Sequence, residues 1–239
     1  MVICWKRHRE QNNTELALID LAPILLTVKL AATTTLILLI LGTPLAWWLS
    51  QTECKLKSAI ESIVALPLVL PPTVLGFYLL LALSPQGFIG GLWAYISDST
   101  LSFSFGGLVI GSVIYSMPFV VQPLQASFEM VGKPLQQAAH TLGASPLDSF
   151  ASIVLPLSRR GFMVAITLGF AHTVGEFGVV LMIGGNIPEV TQVLSIVIYD
   201  HVEVLEYTQA HYYSAGLIVF SFLVLLITYS MNKKLMVKI

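Results

Sequence analysis

Residues 136–156 read QQAAHTLGASPLDSFASIVLP, with Lys133-Pro134-Leu135 just ahead. Long oily runs flank this polar stretch on both sides. Leu135, Ala138, Ala139 and Leu142 follow i, i+3, i+4, i+7 and predict one apolar helix face. Gln136, Gln137, His140 and Thr141 fall on the other. Pro134 suits the first helical position and Gly143 the position just past the end. Ala144 leads into a second short helix. There Ser145 is the expected N-cap, Pro146 the first helical residue, and Asp148 completes a capping-box-like Ser-x-x-Asp. Leu147, Phe150, Ala151 and Val154 repeat the apolar spacing, and Pro156 is expected to end the helix. Helices that float on a bilayer carry basic residues and bulky apolar faces. This segment instead has a small Ala-Ala surface and two tight caps, which favour a rigid knob.

The flanking chain says what the knob protrudes from. Of 239 residues, 56% are hydrophobic and 10% charged, against about 25% charged in soluble domains. Runs of about 20 apolar residues suit a hydrocarbon core about 30 Å thick. They fall near 30–49, 62–83, 105–127, 162–183 and 212–231. The predicted fold class is an all-α polytopic membrane protein with about five transmembrane helices and one helical loop. The expected parts are an N-terminal flank over 1–21, a membrane domain over 22–231 holding the loop 132–157, and a basic tail over 232–239. The net charge of −1 gives no sign of a nucleic-acid partner. Cys4 and Cys54 fit no disulfide or metal spacing. No cleavable signal peptide is evident, so the first span is expected to direct insertion.

Lys and Arg set the orientation. Lys55 and Lys57 lie in one loop, Lys133, Arg159 and Arg160 in another, and Lys233, Lys234 and Lys238 in the tail. The alternate loops hold only acidic charges: Asp98, Glu189, Asp200, Glu203 and Glu206. The C-terminus and segment 128–161 are therefore expected in the cytoplasm. Lys6, Arg7 and Arg9 disagree, since five spans place the N-terminus outside. Either that segment is translocated, or it lies on the surface, or the true start is downstream. Lys29 is expected to snorkel at the outer edge of the first span. Trp47 and Trp48 fall at the inner interface, and Trp93, Tyr95, Tyr212 and Tyr213 near the outer one.

Segment 137–156 resembles the EAA loop of ABC-importer permeases. Gln137-Ala138-Ala139 is followed three residues on by Gly143, and nine residues later by Ile153-Val154-Leu155-Pro156. Gln137 stands where the family has Glu. LPLVLPPTVLGFYLLL in the second span, GFIGG at 87–91, GEFGVVLMIGGNIP at 175–188 and TQVLSIVIYD at 191–200 resemble the molybdate permease branch. The likeness covers roughly residues 22–230. It implies a type I importer permease in a prokaryotic inner membrane, acting as a homodimer with two ATPase subunits and an external binding protein. It implies that residues 135–156 dock into the ATPase: Leu135, Gln136, Gln137, Ala138, Ala139, His140, Leu142, Gly143, Ala144, Ser145, Pro146, Asp148, Phe150 and Pro156. The chain has no G-x-x-x-x-G-K-[ST], so ATP and Mg are expected on the partner, with no cofactor or metal here.

Two spans are unusual. The second holds Pro67, Pro71, Pro72 and Gly76. Each mid-helix proline costs about 3 kcal/mol or more, and freed carbonyls need partners in lipid. The span is either kinked for packing or a movable lining of the pathway. The fourth holds His172 and Glu176, four apart and expected on one helix face. They are either a local pair, or Glu176 caps a neighbouring helix, or the region is a gate flanked by Gly175 and Gly178. Gly107-x-x-x-Gly111 in the third span is a small-residue packing match. No Lys or Arg lies mid-membrane, so selectivity for an oxyanion is expected in the external binding protein. The rivals are a sulfate or tungstate permease, a secondary transporter or channel using Glu176, and an intramembrane enzyme.

Overall fold

The computed structural model describes residues 20–236, and side chains through residue 230. Lys6, Arg7, Arg9, Cys4 and Lys238 lie outside the described residues. Helix α1 covers Ala22–Gln51. It starts eight residues earlier than the apolar run, with Leu21 as N-cap, Pro23 in the first turn and Asp20 Oδ1 accepting from Ala22 N at 2.9 Å. The Asp20 N–H in turn donates to the Tyr213 hydroxyl at 3.0 Å. Lys29 is exposed in the second turn, its Nζ 4.6 Å from the Phe105 ring centroid.

The second span is two helices, α2 over Lys57–Val69 and α3 over Pro72–Leu83, bent by 112°. The bend sits where proline forces it. Leu70 precedes Pro71 and is extended, as a pre-proline residue prefers. Pro72 then opens α3, where no N–H is needed. Pro67 is tolerated inside α2. A short helix α4, Phe88–Ser97, leads to α5, Phe105–Val131. Ser104 caps α5, its hydroxyl accepting from Gly107 N at 3.1 Å.

The knob follows as α6 (Lys133–Thr141) and α7 (Pro146–Leu157). The fourth span is not continuous. Helix α8, Arg159–Val174, has 16 residues, about 24 Å at 1.5 Å per residue, short of a core about 30 Å thick. The chain breaks at Gly175-Glu176-Phe177 and resumes as α9, Gly178–Gly184. Helix α10 covers Leu194–Glu203 and α11 Tyr207–Met236. The basic tail thus begins within α11 rather than after it. Among the described residues three helices (α1, α5, α11) are long and apolar enough to cross a membrane, or five spans with each bent pair counted once.

The core forms where α5 packs along α1 and α8. Leu38, Ala46, Leu49, Val120, Val121, Leu124, Phe128, Val154 and Ala165 fill it. Glycines set the closest approaches. A Cβ on Gly169 would meet Val120 at 2.6 Å, and one on Gly111 would meet Ile183 at 2.5 Å. The Gly107/Gly111 pair is therefore a seat for α9 within one chain. Helix α11 is largely exposed, with Ile218, Phe222 and Ile227 outward, as a lipid-facing helix requires.

Candidate functional site: a capped knob and two broken spans

Helix α6 ends at the Gly143 turn that the sequence predicts, with Lys133 rather than Pro134 as its first residue, and most of its surface is exposed. Gln136 and Ala139 turn inward and are buried, while Leu135, Ala138 and Leu142 are exposed. Leu142 is 89% exposed and Leu147 79%. Of the predicted apolar face only Ala139 is covered, and of the predicted polar face only Gln136, whose Nε2 reaches back to the Gly132 carbonyl at 3.5 Å. Leu142 and Leu147 are thus exposed apolar side chains beside polar Gln137, His140 and Thr141.

Gly143 closes α6 with φ +86°. Its N–H donates to the His140 carbonyl at 3.0 Å, and Ala144 N donates to the Ala139 carbonyl at 3.0 Å. That crossed pair satisfies two orphan carbonyls and defines a Schellman turn. A Cβ on Gly143 would meet nothing within 4 Å. Glycine is required there by backbone conformation alone. One residue later the Ser145 capping box is complete. Asp148 N donates to Ser145 Oγ at 3.2 Å, and Ser145 N donates to Asp148 Oδ2 at 3.3 Å. The Ser145 hydroxyl also donates to Asp148 Oδ2, and these bonds hold the carboxyl below the usual carboxylate range.

Pro156 does not end α7; the helix runs on through Leu157. Residues Phe150–Val154 are wound as a π-helix, with Leu155 N bonded to the Phe150 carbonyl. This wider turn resets the ladder, so Pro156 falls in the first turn of the next α segment, Leu155–Leu157, where its missing N–H costs nothing. Ser158 then breaks the path, and α8 leaves at 73°.

Four aromatic rings root the knob. Phe150 packs edge-on to Trp47 (4.9 Å between centroids) and Phe128 (5.8 Å), and Phe162 completes the cluster against Phe128 at 5.8 Å. Phe150 thus joins the knob to α1 and α5, and Phe128 carries the cluster on to α8. The sequence reading placed Trp47 at the interface and missed this; the four rings lie far apart in the chain and leave no periodic signal. A second root is ionic. Lys133, the first residue of α6, pairs with Glu53 of the α1–α2 loop. This bond, more than the charge alone, holds the Glu53 carboxyl below its usual range. Both groups are exposed, so solvent screens the pair and it adds little to stability.

The broken spans meet each other. A Cβ on Gly178 would lie 2.7 Å from Pro72 Cβ, and one on Gly76 2.8 Å from Met182 Cβ. Pro72, Gly76 and Gly178 therefore form one close α3–α9 contact, with Pro71 exposed at the bend and Pro67 buried in α2. His172 and Glu176 are not on one helix face. Helix α8 ends at Val174, and Gly175-Glu176-Phe177 separate it from α9. His172 instead bonds Ser116 through Nδ1 at 2.9 Å and stacks on Phe119. Glu176 is 3% exposed, and neither carboxyl oxygen has a hydrogen-bond partner among the described residues. Its own carbonyl accepts from Ser195 Oγ at 2.6 Å.

Long apolar helices, proline-broken spans and a doubly capped helical loop define a multi-pass membrane protein. The chain belongs to the family of binding-protein-dependent transport system inner membrane components, whose model matches residues 39–236. It is 58% identical over 214 residues to the molybdenum transport system permease protein ModB of Azotobacter vinelandii, covering 90% of this chain and 95% of the relative. It is 35% identical to the Escherichia coli (strain K12) protein of the same description, over 75% of this chain and 79% of that one. It is 31% identical to the sulfate transport system permease protein CysT of Salmonella typhimurium, over 78% and 67%. A crystal structure of a bacterial ABC transporter that imports alginate superposes with a TM-score of 0.74 at 18% identity, over 90% of this chain and 79% of that one. That likeness concerns the fold.

Proposed function

We propose that this chain is the membrane subunit of an ATP-driven importer that carries molybdate across the cytoplasmic membrane. The observation that carries the reading is the knob: a rigid, exposed apolar surface on a segment with the spacing of an ATPase-docking loop. In this reading the permease domain spans 22–231 and its coupling loop 132–157. Segment 128–161 and the C-terminus face the cytoplasm. Two copies of the chain meet two ATPase subunits and one external binding protein, which supply ATP with Mg and the selected ion. Leu135, Ala138, Leu142 and Leu147 make the dock, and Gly143, Ser145, Asp148 and Phe150 hold its shape. The α3–α9 contact at Pro72, Gly76 and Gly178 is the element that shifts during gating.

Molybdate as cargo rests on the relatives, the 58% identical one above all. The sulfate permeases at 31% identity support the second reading, sulfate as cargo. Reconstitution tests both. Proteoliposomes holding this chain, its ATPase and its binding protein should accumulate labelled molybdate only with ATP and with the binding protein present. Excess sulfate should not compete. Sulfate accumulation in preference to molybdate would move the assignment to the sulfate branch. Accumulation without any ATPase would remove the importer reading altogether.

A further inference from the structure

On the assignment to oxyanion import, the outstanding physical question is what a dianion touches in a membrane domain with no mid-membrane Lys or Arg. Helix α5 carries one open stripe. Tyr115, Phe119, Gln122, Ala126 and Glu129 recur at i, i+4, i+7, i+11 and i+14, and every one is half-buried or exposed. Tyr115 lies ten residues from the outer end of α5, about 15 Å by helical rise, and Glu129 lies at the inner end. The stripe opens inward into a cavity of about 500 Å³ lined by Ser58, Glu61, Ser62, Gln122, Gln125 and Glu129. Glutamines and carboxylates along a spanning helix do not face hydrocarbon. This face of the chain is wet, or covered by another copy.

His172 of α8 stands at the head of that stripe. Its ring is stacked on Phe119 (3.9 Å between centroids, 24°) and packs against Tyr115 at 4.7 Å. Both contacts fix the ring plane. The hydroxyls behind it fix the tautomer. Thr173 Oγ1 donates to the Gly169 carbonyl at 2.9 Å, which uses its only proton. Ser116 Oγ, 3.0 Å from Thr173 Oγ1, must then be the donor in that pair. With its one proton spent, Ser116 can only accept from His172, 2.9 Å away, so Nδ1 carries a hydrogen. Nε2 has no hydrogen-bond partner among the described residues and, in a half-buried ring, is not fully enclosed. The ionisable groups nearby are Tyr115 against the ring and Glu176 four residues on; no ion pair among the described residues includes His172.

We infer that His172 is the residue of this chain that contacts the oxyanion in transit, as an imidazolium that donates Nε2–H to the anion while Nδ1–H stays anchored on Ser116. An oxyanion offers only acceptors, and the neutral ring held by Ser116 offers it only a lone pair. Contact therefore requires one proton at Nε2, taken from water in the path and released when the anion leaves. Burial of the ring opposes the charge, so the imidazolium forms only while the anion is beside it, with the aromatic faces as a smaller aid. A single charge-assisted bond is weak enough to be transient, which suits a path whose selectivity lies in a separate binding protein.

The test is uptake of labelled molybdate in the reconstituted complex, with ATP hydrolysis read in parallel. His172→Ala is expected to cut uptake about tenfold, the weight of one charge-assisted hydrogen bond, while hydrolysis driven by the binding protein persists. Ions moved per ATP should then fall; a merely structural lesion lowers both rates together and leaves the ratio unchanged, which would overturn the inference. His172→Gln, which keeps an N–H donor without charge, should fall between. Uptake by His172→Ala at the wild-type rate would also overturn it. If the alanine variant does not assemble, the glutamine variant decides: wild-type ions per ATP removes the imidazolium, and a reduced ratio supports it. Failure of wild type to assemble or to use ATP would instead sink the importer assignment itself.

Discussion

At the scale of single residues, three positions separate folding from docking. Gly143 holds φ +86° with open space around it. Gly143→Ala should cost about 1 kcal/mol from left-handed strain and lower the thermal midpoint slightly. Gly143→Pro removes the N–H given to His140 and cannot adopt that φ, so the Schellman turn should be lost. Leu142 touches too little of its own chain to stabilise it. Leu142→Asp should leave the melting temperature unchanged and abolish retention of the ATPase on an affinity column. A large drop in melting temperature would place Leu142 in a core. Asp148 adds a pH signature. Its carboxyl is held below its ordinary value by Ser145, so its contribution is complete above about pH 4, the unfolded value, and is lost as pH falls through the lower folded value. Asp148→Asn should remove that acid dependence from ATPase retention.

At the scale of elements, Phe150 links the knob to α1 and α5 through Trp47 and Phe128. The ring is half-buried, so Phe150→Ala should cost about 2 kcal/mol, below the range for a fully buried ring, visible as a lower thermal midpoint. Uptake should fall further than ATPase retention does, since the dock survives but its root does not. The elements also show what the sequence made legible. Caps, prolines and the Gly143 turn were readable because each is a local device: residue type and backbone conformation are coupled within four positions. The break after Val174 was only partly readable. Its glycines were visible, yet the apolar run continued across them and suggested one helix with His172 above Glu176. The exposure of Leu135 and Leu142 in α6 was not readable from the period: an amphipathic pattern says that two faces differ, not which of them the rest of the chain covers.

At the scale of the whole molecule, the rivals predict different consequences for Glu176. Its carboxyl is buried, and its oxygens make no bond among the described residues. Glu176→Gln keeps the shape and removes only the option of charge. In an ATP-driven importer, uptake should persist and stability should hold or rise. In a transporter using Glu176 as a proton site, uptake would collapse. The central claim is that residues 135–156 receive the ATPase, and co-purification tests it most directly. The chain would be expressed with its candidate ATPase as wild type, as Leu142→Asp/Leu147→Asp, and as Gly143→Pro. The account predicts that wild type retains the ATPase and that both variants, inserted in the membrane and folded, lose it. Retention by the Leu142→Asp/Leu147→Asp variant at the wild-type level would contradict it.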